Sequence, residues 1–158
     1  MKCSLETYNY NTCPDYWALS YTWGPETPSH VILVNGRRFC VRQNLFNFMK
    51  SFRSPYNNHF YLWIDQVCIN QEDIPERNSQ VRCMGQYYSR AVCVLTWLGI
   101  GTELELAAMA RIQQVDIVNV PPAKYQEPNS LDHLRGYRSI IANHYFERLW
   151  VVQEMARA

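Results

Sequence analysis

The chain has 158 residues, a net charge of +1 and only 18% charged residues. That length suits one domain with a sizeable core, and the near-neutral balance offers no electrostatic footprint for nucleic acid or an anionic membrane. No apolar run approaches the ~20 residues of a membrane span. The opening MKCSLETYNYNTCPDYW lacks the continuous apolar stretch of a secretory signal, so a cytoplasmic location is expected.

The first core strand is expected at Tyr16 to Thr22 (YWALSYT), where β-formers run into the stop Trp23-Gly24-Pro25. His30 to Val34 and Arg38 to Val41 flank Asn35-Gly36, a two-residue hairpin signal, and the hairpin is expected to be an insertion at the sheet edge. From Asn44 to Arg53, Leu45, Phe48, Met49 and Phe52 recur at helical spacing, with Asn44 as the expected N-cap. Phe60 to Ile64 reads as a second strand, nearly continuous in apolar residues as buried parallel strands are. It ends on Asp65, and a polar turn of Asn70, Gln71, Glu72 and Asp73 follows. Asp73 can cap the next helix, with Pro75 in its first turn and Val81, Met84 and Tyr88 on one face.

Ala91 to Leu98 (AVCVLTWL) is the third apolar strand, stopped by Gly99. The core order strand, helix, strand, helix, strand is the signature of a three-layer α/β fold with a short, mainly parallel sheet. Beyond it the chain turns helical. One helix is expected over Thr102 to Val115, a proline-containing loop over Asn119 to Asn129, and a helix over Ser130 to Asn143 interrupted by Gly136. A last helix is expected from Phe146 to Ala158, where the chain stops at or inside it. All 158 residues are read as a single domain with extra C-terminal helices.

Chemistry is expected at the carboxyl ends of the strands. With the strand order 2-1-3 of a flavodoxin-like sheet, the crevice lies between the first and third strands. Ser20, Tyr21, Thr22, Trp23 and Gly24 reach it from the first, and Trp97, Leu98 and Gly99 from the third. Asp65 arrives from the neighbouring strand. Aromatic rings, a glycine open to close backbone approach and an acid are what a nucleotide pocket needs. Asp65 can alternatively accept loop hydrogen bonds or pair with Arg77, and Trp63 and Trp97 suit the core. Asn70 and Gln71 are expected to satisfy loop backbone, and Glu76 with Arg77 to form a local ion pair.

No metal site is expected. The six cysteines include no C-x-x-C pair and the four histidines are scattered, and without a signal peptide the thiols are expected to be reduced. Cys68 lacks a base: His59 precedes the strand, roughly 20 Å away at ~3.3 Å per residue. Neither a P-loop nor G-x-G-x-x-G occurs.

Seven words in order carry a family likeness: ALSYTWG (Ala18 to Gly24), VNG (Val34 to Gly36), QNL (Gln43 to Leu45), LWIDQVCINQEDIPER (Leu62 to Arg77), QVRCMGQYYSRA (Gln80 to Ala91), VLTWLG (Val94 to Gly99) and RLWVVQE (Arg148 to Glu154). From about residue 17 onward the chain resembles the fungal HET, or heterokaryon incompatibility, domain. That resemblance implies a cell-death effector in self/non-self recognition, a protein that self-associates and acts with an upstream recognition protein or with a further domain absent from this chain.

More distantly, the strand order followed by Trp150-x-x-x-Glu154 is similar to a TIR domain, whose enzymatic members cleave NAD with the glutamate of that motif. The likeness implies Glu154 as the catalytic residue, NAD as substrate rather than cofactor, and Trp150, Trp23 or Tyr21 beside it. About fifty residues separate the third strand from Trp150, more than in a compact TIR domain. Two other readings compete: a non-enzymatic homotypic signalling module, and a nucleotide-sensing domain without turnover. In either, Glu154 can simply pair with Arg157 or another cation on a solvated face, and Trp150 can belong to the core.

Overall fold

A computed structural model describes residues 1–27, 29–53, 61–114, 130–149 and 151–155. His59, Phe60, Arg157, Trp150 and the expected loop at 119–129 lie outside these residues. In chain order the elements are β1 (Lys2–Cys3), β2 (Tyr16–Tyr21), β3 (Ser29–Val34), β4 (Arg37–Arg42), α1 (Gln43–Phe52) and β5 (Tyr61–Trp63). They continue with α2 (Asp65–Cys68), α3 (Ile74–Arg90), β6 (Cys93–Trp97), α4 (Glu103–Gln114), α5 (Ser130–Ile141), a 3-10 turn (His144–Glu147) and α6 (Val151–Met155). The chain is thus mixed α/β, with small parallel and mixed sheets. It divides into two compact units: Met1–Gly99 with Arg148–Ala158, and Ile100–Glu147.

The first unit is organised by β2, the central strand of a parallel sheet of order β5-β2-β6. Being central, β2 is covered on both faces. Leu19 and Tyr21 pack with Leu45 and Phe48 of α1 and with Ile32, Val34 and Val41 of the hairpin strands. Tyr16 and Ala18 face Met84 and Tyr88 of α3 on the other side. Five of its six residues are fully buried, and each large apolar side chain so placed contributes about 1.5–3 kcal/mol. The flanking strands are sheet edges, so β5 is only partly covered and Tyr61 is exposed, unlike the buried strand its apolar run suggests.

The hairpin forms at Asn35 and Gly36, both in the left-handed region with φ of 51° and 78°, the geometry a two-residue turn between twisted strands requires. It does not join the edge of the parallel sheet, as expected from sequence. Its strand β3 pairs instead with β1, making a separate three-stranded sheet β1-β3-β4. The apolar faces of β3 and β4 explain this: they are buried against α1 and β2 rather than aligned with a parallel edge.

Helix starts follow the capping rules unevenly. Asp73 caps α3, its side chain accepting from the Glu76 amide at 3.0 Å. Asn44 is not the cap of α1, which begins one residue earlier after Arg42. Its amide is used otherwise, donating to the Thr22 carbonyl at 2.6 Å while its oxygen accepts from the Trp97 indole at 2.9 Å.

In the second unit α4 opens with a reciprocal cap: Thr102 Oγ1 accepts from the Glu105 amide, and Glu105 accepts from the Thr102 amide at 2.7 Å. Glu105 also accepts from Ser139 of α5 at 2.7 Å. Gly136, a weak point in the helical pattern, proves to be the crossing point of the two helices. A Cβ there would stand 2.3 Å from the Leu104 carbonyl oxygen and 2.8 Å from the Ala108 Cβ.

The last helix starts later than its sequence suggests. A 3-10 turn occupies His144–Glu147 and α6 begins only at Val151. Asn143 fixes that turn through its side chain, which accepts from the Tyr145 amide at 2.9 Å.

Helix propensity alone would make Gly136→Ala stabilising by about 1 kcal/mol. The crossing reverses the sign: the variant is expected to be destabilised by about 1–3 kcal/mol. Chemical denaturation of the purified protein measures it, and a gain in stability would contradict the close crossing.

Candidate functional site

The parallel register builds the site. Ala18 pairs with Trp63, the last residue of β5, and Asp65 opens α2 two residues beyond it, so Ser20 and Asp65 both lie toward the carboxyl end of the sheet. Ser20 lies on the face of β2 shared with Tyr16 and Ala18, toward α3, and α6 packs on α3. The final helix therefore reaches Ser20. The Ser20 hydroxyl donates to Oε2 of Glu154, and both residues are buried, Glu154 with 1% of its surface exposed. Arg148 Nη2 donates to the other carboxylate oxygen at 3.4 Å. Such an i, i+6 contact is out of reach along one continuous helix. The break between the 3-10 turn and α6 is what lets the guanidinium turn back.

Asp65 is the second buried acid, at the first position of α2. The Trp23 indole donates to its Oδ2 at 2.7 Å and the Gln66 amide to its Oδ1 at 2.7 Å. Its carboxyl, ordinarily near 3.8, is pushed up to about 6, chiefly by burial and further by the charge of Glu154, against the opposing hydrogen bonds of Trp23 and Gln66. The Tyr21 hydroxyl donates to Gln66 Oε1 at 3.2 Å. Burial first, then the neighbouring Asp65, holds that phenol far above the usual tyrosine range.

Of the residues singled out from sequence, Ser20, Tyr21, Trp23, Asp65 and Glu154 gather in one polar cluster around the end of β2. Trp150 lies outside the described residues. Tyr21 is 1% exposed, so it offers the cluster a hydroxyl rather than a ring face. Trp23 is half-buried, and the Arg42 guanidinium lies over its ring, 5.0 Å from the centroid. Gly24 serves the backbone: its φ is +73° while an added Cβ would meet only Asn44, at 3.9 Å, and its carbonyl accepts from Arg42 at 2.8 Å. Trp97 stays apart from the acids, packed against Phe48 and bonded to Asn44. The cluster thus spans β2 and the segment after β5, rather than the first and third strands.

The loop residues behave as framework. Gln71 donates to the Asp65 carbonyl at 3.0 Å, Asn70 accepts from the Glu72 amide, and Arg77 donates to the Gln71 carbonyl. Glu76 accepts from the Asn70 amide at 3.2 Å, so it closes the loop. Burial pushes the Cys68 thiol up to about 11, which suits an inert thiol. All six cysteines are unbridged. Among the described residues no group of side chains could hold a metal ion, and no helix is long and apolar enough to cross a membrane. A shallow hollow of about 510 Å³ lies over Asn70, Glu72, Asp73, Ile74 and Pro75, on the loop rather than at Glu154.

Sequence reasoning missed Arg148 and Gln66. Neither spacing nor periodicity marks them. Arg148 precedes the helix it serves, and Gln66 is one of many polar residues in its loop. For Glu154, the solvated-face reading is overturned by its burial, and its cation is Arg148.

Residues 16–154, from the start of β2 to Glu154 itself, match the family described as Heterokaryon incompatibility protein (HET). The chain belongs to the HET family. The chain is 29% identical to Heterokaryon incompatibility protein 6, OR allele, of Neurospora crassa over 195 aligned positions, covering 96% of this chain. It spans only 29% of that relative's length. No solved structure matches this HET chain.

The raised Asp65 carboxyl carries a pH dependence whose sign follows from linkage. The folded state binds this proton more tightly than the unfolded chain, so the stabilisation is complete below about pH 3.8 and is lost as pH rises through about 6. The amount is on the order of 2–3 kcal/mol. Denaturant midpoints measured from pH 4 to 7 are expected to show this fall in the wild type and a flatter profile in Asp65→Asn. Equal slopes for the two proteins would contradict the assignment.

Proposed function

We propose that this HET chain is a cytoplasmic cell-death effector module of fungal self/non-self recognition, and that on self-association it cleaves NAD at Glu154. The reading takes its parallel sheet as TIR- or flavodoxin-like, three-layered, with the hairpin as an insertion. What carries it is one observation: the acid singled out from the Trp-x-x-x-Glu pattern lies against Ser20 at the carboxyl end of the central strand. That is where open α/β sheets bind ligands.

Breaking the nicotinamide–ribose bond passes through an oxocarbenium-like state: nicotinamide leaves as a neutral molecule with the bonding electron pair, and water adds to the ribose carbon, giving ADP-ribose and releasing a proton. One carboxylate suffices to stabilise the developing positive charge and orient the ribose hydroxyls, with no strong general acid required. In this role Glu154 faces the anomeric carbon, Ser20 orients the carboxylate, and Asp65 with Trp23 and Gly24 frames the ribose side. Self-association, an upstream recognition protein and a further domain complete the proposal.

A second reading has its own support. Glu154 is 1% exposed and already satisfied by Ser20 and Arg148, as a structural acid in a non-enzymatic interaction module would be.

Nicotinamide release from NAD by self-associated protein separates the two. Turnover by the wild type and a loss of about 100-fold or more in Glu154→Gln are expected. Turnover unaffected by the substitution would remove Glu154 from the reaction. Absence of turnover in the assembled wild type, with death signalling intact in Glu154→Gln, would establish the non-enzymatic module instead.

A further inference from the structure

Helix α6, described over Val151–Met155, carries Glu154 into the interior of the first unit. Among its described side chains Val151 and Glu154 are buried and Val152 is exposed. A helix at the end of a chain keeps its place largely through its packing contacts. One of those contacts is a buried carboxylate, which is costly in an apolar interior unless it is hydrogen-bonded and compensated by a cation. Ser20 supplies the hydrogen bond and Arg148 the charge. Asp65, the other acid close enough to Glu154 for their charges to interact, makes the cation more necessary.

The chain leaves the first unit after Gly99 and re-enters it at Arg148. The compensating cation is therefore the first residue of the returning segment, set just before the helix whose acid it neutralises.

From this arrangement we infer that Arg148 is the latch of an autoinhibitory contact: it holds Glu154, and with it α6, over Ser20, and its release uncovers the Glu154 carboxylate. Drawing the returning chain away at residue 148 opens the latch, because the carboxylate then loses its cation inside the protein. The helix then leaves its seat. The inference rests on the proposed role of Glu154 only for what the uncovered acid does next; the latch itself is a statement about α6.

Hydrogen–deuterium exchange on the whole chain tests it. Arg148→Ala is expected to speed exchange of the 151–155 amides by about tenfold or more. Arg148→Lys, which keeps the charge, is expected to stay close to the wild type. The double variant Arg148→Ala with Glu154→Gln is expected to close again, because a neutral amide still accepts from Ser20 and needs no cation. Unchanged exchange in Arg148→Ala, or a double variant as open as the single one, would overturn the latch. Should the alanine variant fail to fold, recovery of folding in the double variant supports the latch and its failure overturns it. NAD turnover is read on the same proteins. Faster exchange in Arg148→Ala without turnover keeps the latch and sinks the NAD reading. Turnover in that variant without faster exchange sinks the latch.

Discussion

One hydrogen bond joins the beginning and the end of this chain. Ser20 on the central strand and Glu154 on the last helix are separated by 134 positions, and their contact is buried. Closing so long a loop costs conformational entropy, and the acid brings a desolvation cost as well. The contact persists because it is charge-assisted, because Arg148 compensates the carboxylate, and because Val151 packs beside it. The polar cluster inherits its order from this junction. Ser20 ends its side of the central strand, Asp65 opens α2 just beyond β5, Asp65 accepts from the Trp23 indole, and Gln66 accepts from the Tyr21 hydroxyl.

The parts governed by local patterns were legible in the sequence. Runs of β-formers and apolar residues bounded by stop residues located β2 and β6, Asn35-Gly36 located the hairpin, and Asp73 with Pro75 located the start of α3. What depended on distant packing was not. The two-residue strand β1 has no pattern of its own and exists because β3 offers it a partner. The hairpin's sheet was misplaced because its turn chemistry says nothing about which face is buried. Gly136 looked like a helix defect and is a helix crossing, a distinction only the opposite helix can make. The final helix looked continuous because nothing in Glu147 to Leu149 resembles a breaker. The candidate site was half legible: Ser20 and Asp65 could be named from position in the α/β plan and Glu154 from the Trp-x-x-x-Glu resemblance, whereas Arg148 became visible only through the fold.

Burial gives the cluster its chemical character and its restriction. Two acids share a water-poor site with one guanidinium, so Asp65 holds its proton into the mildly acidic range. A carboxylate in such surroundings interacts strongly with a developing positive charge. The same surroundings close Glu154 off from solvent, so chemistry at this residue requires a change at α6. Membership of the HET family sets the biological frame, and the match ends on Glu154 itself.

A double-mutant cycle on Ser20 and Glu154 tests the central claim most directly. Unfolding free energies of the wild type, Ser20→Ala, Glu154→Ala and the double variant yield the coupling between the two residues. If this bond secures the last helix to the central strand, the coupling is about 1–3 kcal/mol, as for a buried hydrogen bond to a charged group. Additive effects within about 0.3 kcal/mol would contradict it and leave the two ends of the chain unjoined.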